Sequence, residues 1–102
     1  MNNIIREDIN YMVKHARRFA KRSFSLDDKQ ERLHLMKECI ERDFASANGS
    51  ISALNRAGII SFTEYIYARQ VLKHHYCRLL DVYCDMPYMY KGDKEFYYLY
   101  IR

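Results

Sequence analysis

Apolar side chains recur at three- and four-residue steps along most of the chain, and this period limits the possible folds more than any other feature. Ile5, Ile9, Met12, Ala16 and Phe19 fall on one stripe of a helix expected over residues 3–23. Leu33, Met36, Ile40, Phe44, Ala47, Ile51 and Leu54 form a second stripe, on a helix expected over residues 26–57. Phe62, Tyr65, Ile66, Leu72, Tyr76, Leu79, Leu80 and Tyr83 line one side of a third, over residues 62–84. One proline and three glycines in 102 residues leave little material for the turns of a β-sandwich or barrel. The expected fold is therefore all-α. It is a single helical domain over 1–102, an antiparallel bundle of three main helices followed by a tail over 87–102.

Local signals set the boundaries. Ser25 can cap the second helix, with Asp27 and Asp28 in its first turn. Asn48-Gly49 is a usual break, yet Ile51 and Leu54 keep the stripe in phase. A continuous second helix and one broken at 48–49 both remain open. Gly58 suits the left-handed residue that follows a helix end. Ser61-Phe62-Thr63-Glu64 spells a capping box, with Ile60 and Tyr65 at the positions of a hydrophobic staple. Pro87 requires the third helix to stop before it. The tail beyond reads as a short aromatic β-hairpin, or as an extended loop with a final helical turn.

The net charge of +4 is concentrated in the first helix. Arg6, Lys14, Arg17, Arg18, Lys21 and Arg22 stand there against Glu7 and Asp8, and the rest of the chain is balanced. At about 100° per residue these cations share the arc opposite the apolar stripe. Such an arc can meet nucleic-acid phosphates or an acidic protein, and it is also what a solvated helix face looks like. The ten tyrosines are the second feature. A core this small cannot pair ten phenols internally, so several reach the surface, where they favour protein contacts. Met86, Tyr88, Tyr90, Tyr97, Tyr98 and Tyr100 are the expected interface, with an inward-packed aromatic cluster as the plainer alternative.

Other classes are excluded or thinly supported. No apolar run reaches the roughly 20 residues of a membrane span, and the N-terminus lacks a signal-peptide core. Three cysteines at unrelated spacings do not make a disulfide framework, which leads to the expectation of a soluble, cytoplasmic protein. No nucleophile-bearing turn or phosphate-cradling glycine loop is present. His74, Cys77 and Cys84 share a helix side and Cys39 can approach from the second helix, but no C-x-x-C or H-x3-H unit exists. No metal or other cofactor is expected, and the cysteines read as small apolar residues at helix contacts.

Three further motifs can be read from specific residues. A helix-turn-helix centred on Gly58 fails in register, because the position that must be apolar six residues later is Glu64. Residues 51–72 resemble the short helical hairpins appended to many bacterial proteins, which implies a hairpin and nothing more. Arg69, His74 and Tyr76 fit an R-x4-H-x-Y pattern that resembles HEPN-type helical RNases. That resemblance implies a dimer with Arg69 and His74 flanking a scissile phosphate in a shared cleft. Gln70 departs from the Asn or Asp usual after the arginine, and the preceding helices are short for the family. Arg69 also falls inside the apolar arc of Tyr65, Leu72, Tyr76 and Leu80. It therefore needs Asp8 or Asp43 as a partner or must snorkel outward; unpaired in a cleft, it suits phosphate.

Together these features lead to the expectation of a small non-enzymatic adaptor or inhibitor that binds another macromolecule. A protein partner comes first, met by the basic helix and the tyrosine-rich tail. The alternatives are a nucleic-acid-binding regulator acting as a dimer and, third, an RNase using Arg69 and His74. Small size without catalytic groups suits a regulator carried by a phage, a plasmid or a similar element.

Overall fold

The structure is a computed structural model that describes residues 1–23 and 27–85. Its three helices are α1 (Asn3–Ser23), α2 (Lys29–Arg56) and α3 (Phe62–Cys84), and the described residues contain no strand. The expected β-hairpin and the rest of the tail lie outside the described residues. So does Ser25, expected to cap α2. The cap is instead Asp28, whose carboxylate accepts from the Gln30 and Glu31 amides at 2.9 and 3.3 Å. A carboxylate in that place satisfies two orphan amides and also meets the positive end of the helix dipole. The Asn2 side-chain oxygen caps α1, accepting from the Ile4 and Ile5 amides at 2.8 and 3.4 Å.

Helix α2 runs unbroken through Asn48 and Gly49, so the in-phase stripe prevails over the local break signal. It stops where the sequence predicts. Gly58 takes φ +72°, its amide donates to the Asn55 carbonyl, and the Ile59 amide donates to the Leu54 carbonyl. These two bonds make a Schellman motif, which needs a residue tolerant of the left-handed region. Three residues on, the Ser61 hydroxyl accepts from the Glu64 amide at 3.1 Å and starts α3. Only this half of the capping box forms as expected: the Glu64 carboxylate faces the Ser61 hydroxyl at 3.4 Å. The last turn of α3 closes at Asp85, which takes φ 53° two residues before Pro87.

Cross-helix neighbours fix the topology. His15 of α1 meets Asp43 of α2, while Ala20 lines a cavity with Leu33 and Met36. Rising numbers on α1 thus meet falling numbers on α2, an antiparallel pair. Phe44 stacks on Tyr76, and Lys29 pairs with Asp85, so α2 and α3 are antiparallel as well. Helix α2 is the shared partner, contacting both neighbours more than they contact each other. The core is apolar: Ile5, Met12, Ile40, Ile51, Leu72 and Leu80 are fully buried, and no polar or charged residue among those described is buried. The stripe on α3 holds with two exceptions. Phe62 and Ile66 were expected inside but are 68% and 38% exposed. They lie along the side of α3 that carries Arg69 and Lys73, where Ile66 lines an open groove against α2.

Gly49 within α2 and Gly58 just beyond its end have opposite roles. Gly49 is exposed within a helix, and a Cβ built there meets nothing within 4 Å. Gly49→Ala is expected to raise stability by about 1 kcal/mol in urea unfolding. Gly58→Ala is expected to lower it by about 1 kcal/mol, because an alanine is strained at positive φ.

Candidate functional site

The six cations of α1 are all exposed, on the side opposite Ile5, Ile9, Met12 and Ala16. The ion pairs among the described residues are His15–Asp43, Lys29–Asp85, His34–Glu38 and Lys37–Glu41. Arg6, Lys14, Arg17, Arg18 and Lys21 enter none of them. These five carry their positive charge on the surface without an ion pair to another described residue.

Helix α3 extends this face in a way the sequence reading missed. Val13 and Arg17 of α1 line a groove of about 310 Å³ with His75, Arg78, Leu79, Val82 and Tyr83 of α3. Its floor is apolar, and Val82 is 59% exposed. Arg17 and Arg78 bring charge from two helices to one groove. Burial holds the His75 imidazole below its ordinary range, and the Arg78 guanidinium adds to that effect. The hidden signal was the parallel pairing of α1 with α3, which no single helical wheel contains.

The residues of the RNase-like pattern separate. The Arg69 guanidinium donates to the Tyr65 hydroxyl at 3.1 Å and lies 5.5 Å from that ring's centroid. Neither Asp8 nor Asp43 pairs with it; Asp43 is held by His15. The side chain snorkels outward and lines an α2–α3 groove of about 350 Å³ with Phe44, Asn48, Ile66, Gln70 and Lys73. Tyr76 points elsewhere, stacked on Phe44 at 4.1 Å, with its hydroxyl donating to Glu41 at 3.5 Å. Burial pushes its phenol up to about 12, and the Glu41 carboxylate adds to that. His74 packs against the His75 ring at 5.2 Å and does not line the Arg69 groove. Five helical residues set Arg69 and His74 about 140° apart, so one chain does not join them in one cleft.

The cysteines are buried helix-contact residues, as expected, and no disulfide links them. Burial pushes the Cys84 thiol up to about 11. Cys39 does not meet Cys77 or Cys84 in a ligand cluster. It joins His15 and Asp43 instead, across the α1–α2 seam. His15 Nδ1 lies 2.6 Å from Asp43 Oδ2, and Cys39 Sγ lies 3.6 Å from the same nitrogen. Burial raises the thiol pKa, and the Asp43 charge adds to that rise. Cys39 and Asp43 stand four residues apart, a spacing visible in the sequence, but the arrival of His15 depends on how α1 is rotated.

The predicted interface of Met86, Tyr88, Tyr90, Tyr97, Tyr98 and Tyr100 lies outside the described residues. No helix among the described residues is long and apolar enough to cross a membrane. No protein-family model matches the chain, and comparisons with curated proteins and with solved structures return no match.

The two adjacent histidines of α3 make stability depend on pH. Burial lowers the pKa of both His74 and His75 from the usual 6.5, with neighbouring positive charge adding to it. Above that value both folded and unfolded chains hold them neutral. Below it the unfolded chain takes up protons that the folded chain resists, so stability falls with pH. The thermal midpoint is expected to decline between about pH 7.5 and about pH 5.5, and a His74→Gln/His75→Gln protein is expected to show a shallower decline.

Proposed function

We propose that this protein is a non-enzymatic binding module that takes an acidic, amphipathic segment of another protein into the groove between α1 and α3. One observation carries the reading: the groove combines an apolar floor (Val13, Leu79 and Val82) with Arg17 and Arg78. An amphipathic acidic helix buries its apolar side on such a floor while its carboxylates reach the two guanidiniums. The tyrosine-rich stretch from Met86 to Ile101 is the second contact surface in this reading, as its composition suits protein interfaces. Acting through contacts alone, the module serves as an adaptor or an inhibitor of its partner.

A second reading rests on the wider arc. Arg6, Lys14, Arg17, Arg18, Lys21 and Arg22 are exposed along one helix, a row that can follow a phosphate backbone. Phosphates have no use for the apolar floor, which is why the protein partner comes first.

Pull-down from native lysate with and without nuclease separates the two. The leading reading expects capture that survives nuclease and is lost in an Arg17→Glu/Arg78→Glu protein of unchanged helical content. A labelled acidic amphipathic peptide is expected to bind the parent at least about tenfold more tightly than that variant. Nuclease-sensitive capture with no peptide binding supports the nucleic-acid reading instead.

A further inference from the structure

The seam between α1 and α2 carries a cluster that the binding groove does not use. Three side chains with different donor atoms converge there: the His15 imidazole, the Cys39 thiol and the Asp43 carboxylate, with one ligand atom from each lying within 4.8 Å of the others. Cys39 and Asp43 stand one helical turn apart on α2, and His15 meets them from α1. The site is sheltered but not sealed. Cys39 is 8% exposed, and the Asp43 and His15 side chains are 11% and 32% exposed.

We propose that His15, Cys39 and Asp43 form a binding site for a single Zn²⁺ or a similar borderline-soft divalent ion. Nitrogen, thiolate sulfur and carboxylate oxygen are the donor types zinc prefers, and three protein ligands with an open fourth position is a common arrangement. Zinc bond lengths in a tetrahedron give edges of about 3.6 Å between sulfur and nitrogen and about 3.3 Å between nitrogen and oxygen. The Cys39–His15 separation of 3.6 Å already equals the first. The His15–Asp43 separation of 2.6 Å is a hydrogen bond and must open to reach the second.

The geometry also separates this site from a cysteine nucleophile with a histidine base. Cys39 Sγ is 3.6 Å from Nδ1 and 3.9 Å from Nε2, so it lies beside the ring and not on the lone-pair axis of either nitrogen. A proton relay through the imidazole would place Asp43 and Cys39 on opposite nitrogens. Here the sulfur lies off both lone-pair axes, and Asp43 occupies Nδ1. A metal on that nitrogen requires the ring to turn toward the sulfur, a rotation about a broad torsion. On binding, the thiol loses its proton and Nδ1 gives up the proton it donates to Asp43, leaving a neutral ring protonated on Nε2. Thiolate and carboxylate then balance the charge of the ion. Asp43 also lines a small pocket of about 40 Å³ with Asp8, Tyr11, Ser46 and Ala47. That is room for a water beside the Asp43 carboxylate, on the side of Asp8.

The test uses untagged full-length protein, first stripped with chelator. Equilibrium dialysis against Zn²⁺ is expected to give one ion per chain, and Co²⁺ to give a thiolate-to-metal charge-transfer band. Cys39→Ser is expected to abolish the band, while Asp43→Asn weakens affinity at least about tenfold with helical circular dichroism unchanged. Cys77→Ala is expected to keep both stoichiometry and band. Failure of the parent protein to retain metal overturns the site, as does a band that persists in Cys39→Ser or undiminished affinity in Asp43→Asn. Loss of the groove's partner binding leaves this outcome untouched, since Arg17 and Arg78 take no part in it.

Discussion

Met12, Ile40 and Leu80, one from each helix, retain no exposed surface, and the water-free core they belong to is the constraint on which everything else rests. Burying an aliphatic side chain of this size contributes about 1.5–3 kcal/mol, and truncating one in a packed interior costs about 2–5 kcal/mol. Helix α2 is the element both neighbours share, and it holds the longest run of this core, from Met36 to Leu54. Position on α2 therefore sets what meets what. The seam with α1 brings His15 to Asp43, and the seam with α3 brings Phe44 to Tyr76.

Much of this was legible in the sequence. The apolar period located all three helices, and Ser61 and Gly58 marked their ends because each satisfies backbone groups that a helix end leaves open. Reading failed where the outcome depended on competition or on three dimensions. Asp28 took the capping place assigned to Ser25, since side chains three residues apart can each serve and only packing selects one. Phe62 and Ile66 sat on the right stripe of α3 but remained outside, because a wheel shows which residues share a side and not which sides receive a neighbour. For Arg69 the apolar arc left two outcomes, a carboxylate partner or a side chain snorkelling outward, and it takes the second, reaching over Tyr65.

The candidate sites were legible only in halves. The cationic arc of α1 was plain from residue spacing, whereas Arg78 and His75 belong to another helix and joined it through the α1–α3 contact. Cys39 and Asp43 were one turn apart in the sequence, yet no spacing within α1 marks His15 as their neighbour. Both sites are built across seams, and a seam is defined by the relative rotation of two helices. No pattern within either helix encodes that rotation.

The absence of buried charge among the described residues has one more consequence. A fold held by apolar contact is nearly indifferent to ionic strength, while guanidinium contacts at an open rim are screened within about 8 Å in physiological salt. The scaffold and its cationic groove thus answer to different variables of the medium. Electrolyte can release what the groove holds and leave the three helices standing.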